Sequence, residues 1–335
     1  MRVLVIGGTR FIGRRLVEDL LARGDEPVVV HRGRTEPDGL PEVAHLHADR
    51  SNFESIGGRI AALRPDAVVD TCAMTAAGVE AVLPHLPDVP LVVLSSCDVY
   101  EAYDVFRLGL RQGRGEIAVP LTEESATRLD RYPYRGLPFG SDDYEKLDVE
   151  PHYLARGGTA LRLGFVYGEH DPQRREEFVL RRVRAGRPQI PIGPGRLLMS
   201  RLYVGDASSA VLAALDAPDR AAGQVFDVAE ASSPTVAGWA AQILAAAGSS
   251  AELVTVPGEL PDDLAITGDF AQHMLFSSAK ATALLGWQPG DPAATVPLSV
   301  RWHLSNPPAD QPDGTGDGGN GNAFAADDTA LRTAG

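Results

Sequence analysis

The chain has 335 residues, and 31 basic against 45 acidic side chains give it a formal charge of −14 at pH 7. With 44% apolar residues it has enough material for a sizeable core in one large domain or two modest ones, which excludes a stapled mini-protein. The acidic balance argues against a nucleic-acid partner, because neutralising phosphates takes a basic surface. Cys72 and Cys97 are the only cysteines, too few for a disulfide framework or a zinc quartet, so a reducing cytoplasm is the expected setting. The opening MRVLVIGG is too short for a secretory segment, and no run approaches the roughly 18 apolar residues of a membrane span. A soluble protein without membrane partners is expected.

In chain order, Val3 to Ile6 is an apolar run ending at Gly7-Gly8, the pattern of a buried parallel strand. Phe11, Ile12, Leu16, Val17, Leu20 and Leu21 recur at helical spacing up to Gly24, which predicts a helix with a glycine stop. Residues 27–30, 44–48, 66–69 and 91–94 read as further strands, and 56–63 and 79–86 as intervening helices. Repeated units of this length predict an α/β fold: a doubly wound parallel sheet of the Rossmann kind. Residues 107–140 are crowded with Gly, Arg, Pro and Tyr and read as a loop over a cleft. A helix over 142–150 is then cut by Pro151, and 159–166 is another strand. Beyond these come helices at 175–185, 207–215, 236–247 and 278–285, and strands at 224–228 and 253–256. From Pro307 the composition turns to Asp, Gly, Asn and Ala, so 306–335 is expected to be a disordered tail. The expected division is a dinucleotide-binding domain over 1–165, with segments returning near 201–230, and a smaller α/β substrate region over 166–305.

The segment Gly7-Gly8-Thr9-Arg10-Phe11-Ile12-Gly13 lies between the first strand and the first helix. Glycines there let the backbone approach a pyrophosphate, and the helix N-terminus supplies N–H donors and partial positive charge. The second strand ends His31-Arg32-Gly33-Arg34 with no carboxylate before Glu36. An acid there would favour NAD, whereas Arg10, Arg32 and Arg34 would attract a 2′-phosphate, so NADP(H) is expected over NAD(H). Asp49, after the third strand, is either an adenine contact or a helix cap.

These features resemble the extended short-chain dehydrogenase/reductase superfamily in its NAD-dependent epimerase/dehydratase branch, with GGTRFIG as an atypical form of the glycine loop. Gly7 and Gly13 match the outer glycines of GxxGxxG, and Arg10 stands at the middle one. SSCDVY (95–100), LRLGFVYG (161–168), RLYVGDAS (201–208) and GQVFDVAE (223–230) extend the resemblance over roughly residues 1–303. It implies cofactor contacts from Gly7, Thr9, Arg10, Phe11, Ile12, Gly13, Arg32, Arg34, Asp49, Cys72 and Lys146. It also implies catalysis by a Ser or Thr after the fifth strand and a Tyr-x-x-x-Lys pair, in which the ammonium lowers the tyrosine pKa.

Ser96 fits the hydroxyl, four residues before Tyr100. No tyrosine has a lysine four residues later; Tyr144 and Lys146 are the nearest pair, and two residues apart on a helix they would face opposite ways. Either the helix starts at Lys146 and Tyr144 reaches in from the preceding loop, or the acid/base is another group, with Asp142 and Tyr134 the alternatives. Glu150 follows Lys146 by four and supports Lys146 as the family lysine. Arg201 and Tyr203 are the expected substrate contacts, with Arg174, Arg175, Arg181, Arg182 and Arg184 as further cations for an anionic, sugar-like substrate. His45 and His47 share a strand face without a third ligand, so no metal is expected. The reading is an NAD(P)-dependent oxidoreductase or epimerase, with a homodimer expected. The alternative is a catalytically silent NADP(H)-binding sensor or scaffold.

Overall fold

The computed structural model describes residues 1–34, 36, 39–110, 115–138, 140–309 and 323–333. The N-terminal half alternates strand and helix: β1 (Arg2–Ile6), α1 (Phe11–Ala22), β2 (Glu26–His31), β3 (Ala44–His47), α2 (Glu54–Leu63), β4 (Ala67–Asp70), α3 (Ala76–Glu80), β5 (Leu91–Ser96), α4 (Glu101–Leu108), α5 (Lys146–Leu154) and β6 (Thr159–Leu163). The second half adds β7 (Phe165–Tyr167), α6 (Glu177–Arg184), β8 (Gln189–Ile192), β9 (Arg201–Tyr203), α7 (Val204–Asp216), α8 (Pro218–Ala221), β10 (Val225–Val228), α9 (Val236–Ala246), β11 (Glu252–Thr255), α10 (Ala279–Leu285), α11 (Pro292–Ser305) and α12 (Ala325–Arg332). Seven strands form one parallel sheet in the order β10-β6-β5-β4-β1-β2-β3. Alternation along β1 sends Val3 and Val5 into one apolar layer, with Leu16 and Leu20 of α1, and Leu4 and Ile6 into the other, with Ile60 and Val79. The expected doubly wound sheet is therefore present. No described helix is long and apolar enough to cross a membrane.

Several local expectations need correction. Residues 159–166 are not one strand: β6 pairs with β5, then the chain breaks at Gly164 and β7 pairs with β9. A Cβ at Gly164 would lie 2.8 Å from the Ser200 carbonyl oxygen, so only glycine allows this close crossing. Residues 107 and 108, expected to lie in the loop, are the last turn of α4. Pro151 does not cut its helix, because α5 starts late, at Lys146, and runs through Pro151 to Leu154. The helix is pinned on both sides of the proline by Glu150–Arg162 and by the Tyr153 hydroxyl on Asp70, at 2.8 and 2.5 Å. These buried anchors outweigh the ~3 kcal/mol local cost of an interior proline. The tail expected to be disordered contains α12, held because the fully buried Arg182 donates to both Asp327 oxygens at 2.7 Å. Phe324 lies under the Arg181, Arg182 and Arg187 guanidinium groups. Residues 310–322 lie outside the described residues.

Three buried carboxyls bear on pH. Burial pushes Glu176, Asp227 and Glu230 up to about 7, from ordinary values of 4.5, 3.8 and 4.5. A proton held more tightly by the folded chain than by the unfolded one stabilises the fold at low pH, and that contribution disappears as pH rises through about 7. Burial drops His303 to about 4 from 6.5, which costs stability as pH falls below 6.5. Burial also lowers His31 and His170, but the cost of all three histidines sets in only below 6.5, whereas the carboxyls gain their protons as pH falls through about 7. The thermal unfolding midpoint should therefore be higher near pH ~6 than near pH ~8 by differential scanning calorimetry.

Candidate active site

The first loop builds a phosphate-sized cradle. Gly7 has φ of +93°, and a Cβ on it would lie 2.5 Å from the Thr71 hydroxyl oxygen. A Cβ on Gly13 would sit 2.2 Å from the Gly7 carbonyl oxygen, so the helix start can be this close to the strand only with glycine there. Arg10 is the N-cap of α1 in extended conformation, and no side chain caps the helix. The N–H donors of its first turn are left for an anion. Gly7, Thr9, Arg10, Arg32, Asp49 and Cys72 line a cleft of about 460 Å³. This donor set fits a dinucleotide: backbone amides and glycine clearance for the pyrophosphate, with arginines at the far end.

Not every expected contact lies there. Phe11 and Ile12 pack against the apolar layer instead, and Gly13 acts by allowing close approach. Arg34 does not line the cleft; with Arg32 it lowers the Asp49 carboxyl, after the larger effect of hydrogen bonds from Ser51. Asp49 does cap a short helix, accepting from the Ser51 amide at 3.1 Å, and also faces the cleft. Sequence reasoning missed Arg50, which lines the cleft and ion-pairs with the buried Asp70 at the end of β4. An isolated arginine after a weak strand gives no periodic signal.

Met74 joins this cleft to a second cavity of about 670 Å³, lined by Ser96, Asp98, Tyr103, Tyr134, Tyr144 and Arg175 among others. The spacing anomaly is resolved by where α5 begins. Lys146 is its first residue, and Tyr144 sits in the preceding turn, its amide donating to the Ser141 carbonyl at 3.1 Å. Helical rotation therefore does not separate them, and the Lys146 ammonium lies 5.6 Å from the centre of the Tyr144 ring. The buried ammonium donates to the Ala73 and Leu94 carbonyls at 2.7 and 2.8 Å, and burial lowers its pKa.

The Tyr144 hydroxyl donates to Asp98 Oδ2 at 2.9 Å, and so does Tyr134, at the same distance. Tyr103 and Tyr134 share a further hydroxyl contact of 3.0 Å. Burial first, then the Asp98 charge, pushes the Tyr144 phenol well above its ordinary value of 10. The Lys146 ammonium does not donate to the Tyr144 hydroxyl, whose partner is the Asp98 carboxylate. Burial raises Asp98 above its ordinary value, and its Oδ1 is buried without a partner. Ser96 accepts from the Asp98 amide at 3.2 Å and lines the same cavity. Asp142 accepts from the Gly136 amide at an exposed position outside the cavity. Asp98 is the residue that sequence reasoning passed over; its position two after Ser96 was the available signal. Glu150 does not meet Lys146 but accepts from Arg162 and from Ser95.

Phe165, Gln173 and Arg175 join the second cavity to a third, of about 410 Å³, whose walls include Phe106, Phe178, Trp239 and Arg201. Arg201 is buried, stacks 4.2 Å over Trp239, and forms no ion pair among the described residues; burial lowers it to about 10. Among the described residues its guanidinium donates only two long hydrogen bonds, at 3.4 Å, to the Met199 and Pro234 carbonyls. Tyr203 does not join it, contrary to expectation. Its hydroxyl donates to Glu169 at 2.8 Å and accepts from Arg15, tying the start of α7 to α1. The expected arginine array on α6 is mostly occupied, because Arg181 and Arg182 pair with Asp263 and Arg184 with Glu177.

Residues 3–85 match the NAD dependent epimerase/dehydratase family. The chain is 26% identical over 308 residues to the chloroplast stem-loop binding protein of 41 kDa b of Arabidopsis thaliana, covering 86% of this chain and 75% of that protein. It is 30% identical over 240 residues to the 2′-dehydrokanamycin reductase of Streptomyces kanamyceticus, covering 68% of this chain and 62% of the reductase. Among solved structures, a UDP-glucose-4-epimerase from Stenotrophomonas maltophila with bound NAD and formylated UDP-arabinopyranose superposes with a TM-score of 0.70 at 19% identity, covering 91% of this chain and 98% of that one.

Proposed function

We propose, from the premise that the N-terminal segment belongs to the NAD-dependent epimerase/dehydratase family, that this protein is an oxidoreductase or epimerase acting at a hydroxyl or carbonyl carbon of an anionic, sugar-like substrate. The observation that carries the reading is the run of three joined cavities: a glycine-lined cleft, a Ser96–Tyr144–Asp98 cluster, and an aromatic chamber holding Arg201. The bound nicotinamide would supply hydride exchange with the reacting carbon. Ser96 polarises the substrate oxygen. When an alcohol is oxidised, its proton passes to the Tyr144 oxygen as the Tyr144 proton passes to Asp98; in the reductive direction both transfers reverse. Lys146, fixed on two carbonyls, orients the nicotinamide ribose. The test is turnover with a panel of nucleotide sugars and carbonyl compounds in the presence of NADPH and NADH.

Arg10 and Arg32 on the cleft wall support NADP(H) as the preferred cofactor. NADPH should therefore bind more tightly than NADH in a fluorescence titration. Arg32→Ala should weaken NADPH by roughly ten- to a hundredfold, since a hydrogen bond to a charged group contributes about 1.5–3 kcal/mol, and leave NADH nearly unchanged.

The aromatic chamber supports an anionic substrate group, a phosphate or carboxylate, held by Arg201 and Arg175. Arg201→Met should raise KM by roughly tenfold or more with kcat little changed, the signature of lost uniform binding. A second reading, a binding protein without turnover, is favoured by the stem-loop binding relative and opposed by the charge of −14. Saturable RNA binding with no turnover on the panel would select it.

A further inference from the structure

The two histidines expected to lack a third ligand have two further companions. The parallel register sets Val29 opposite His45 and His31 opposite His47. Alternation places His45 and His47 on one face of the edge strand β3, while Leu46 enters the core on the other. His31, at the end of β2, lies on the same face, and Glu36 arrives from the loop that follows. One donor atom from each of the four residues lies within 4.8 Å of all the others. His31 Nε2 is 2.8 Å from His45 Nδ1 and 3.5 Å from Glu36 Oε1, and His47 Nε2 is 3.2 Å from the same carboxylate oxygen. Zinc bonds of about 2.0–2.2 Å in a tetrahedron set donors roughly 3.3 Å apart, and the three observed separations straddle that value.

We propose that His31, His45, His47 and Glu36 form a site for a zinc-class divalent transition-metal ion. Three imidazoles and one carboxylate suit zinc and its neighbours; magnesium and calcium ask for all-oxygen shells. The His31 ring stands at 75° and 84° to the rings of His45 and His47, so these imidazoles do not stack face to face. His47 and Glu36 side chains are 55% and 52% exposed, which opens a path for the ion from solvent. Gly33 closes the near side: a Cβ there would lie 3.3 Å from the His47 ring. Loading breaks the 2.8 Å hydrogen bond between His31 Nε2 and His45 Nδ1 and changes one tautomer. His31 Nδ1 accepts the Gly33 amide at 3.2 Å, so the imidazole proton must move from Nε2 to Nδ1 and release that amide to water. No existing ion pair with arginine or lysine has to break, because among the described residues none of the four ligands has one.

The test uses untagged, metal-stripped full-length protein titrated with Zn2+ by calorimetry and with Co2+ by visible absorption. One Zn2+ per chain is expected, with the intense visible bands of four-coordinate Co2+. His47→Ala, at an exposed position, and His45→Ala should each weaken Zn2+ at least tenfold, whereas His85→Gln, outside the cluster, should not. No saturable binding, a weak six-coordinate Co2+ spectrum, or an affinity indifferent to His47→Ala in a variant with an unchanged melting profile would overturn the proposal. Because the readout is metal binding alone, it stands or falls independently of the proposed enzymatic activity.

Discussion

Tyr144→Phe should lower kcat by about 10²–10⁴-fold, the range expected when a positioned proton-transfer group is removed, with NADPH affinity unchanged. The hydroxyl is the only atom lost, and it makes no contact with the cofactor cleft; its partner is Asp98 Oδ2. Asp98→Asn should fall by a similar factor, because the amide cannot take the proton that Tyr144 hands over. Tyr134→Phe also loses a hydrogen bond to Asp98 but leaves the Tyr144 relay intact. Its loss should therefore be several-fold at most and should appear as a shift of the pH–rate profile more than in its height. Steady-state kinetics on the three variants separates these cases. A Tyr144→Phe enzyme retaining most of its kcat would remove Tyr144 from the chemistry.

The largest effect on stability is expected at Glu150. Its carboxylate accepts from Arg162 at 2.9 and 2.8 Å and from Ser95 at 2.5 Å, and the Glu150 and Arg162 side chains are only 5% and 7% exposed. Glu150→Ala leaves the guanidinium buried beside Tyr100 with its counter-ion gone. Breaking one side of such a pair costs about 3–5 kcal/mol. Urea unfolding should show a lower midpoint with an unchanged slope. The double variant Glu150→Ala/Arg162→Met should recover part of the loss, since the stranded charge goes with its partner. A single-variant loss below about 1 kcal/mol would mean that water reaches the site.

The sheet was legible because its strands are short apolar runs between glycines and amphipathic helices, and both signals are local. The same holds for the cradle, where Gly7 and Gly13 are identified by position. The tertiary assignments were harder to read. Nothing in DDYEKLDVE marks Lys146 as the first helical residue; Glu145 makes it so by capping Leu147 while buried against Arg128 at 2.9 Å. Asp98 acquires its part only when Tyr134 and Tyr144 fold over it from a loop some forty residues away. The α6 arginines read as a solvent-facing or substrate-facing array because their acidic partners, Asp263 and Asp327, are distant in sequence. The four-residue donor cluster at the sheet edge was half visible: the pair on β3 shows in the alternation, and the pair from β2 and its loop depends on strand register.

The glycine loop also divides its positions into two kinds. Positions 7 and 13 are locked by contacts of 2.5 and 2.2 Å that no side chain can satisfy, whereas position 10 is exposed and in an extended conformation open to any residue. The middle residue can therefore vary without disturbing the scaffold, and on the proposed cofactor reading a single substitution there would change coenzyme choice while the architecture stays constant. A library randomised only at Arg10 should yield mostly folded proteins that differ in which dinucleotide they prefer.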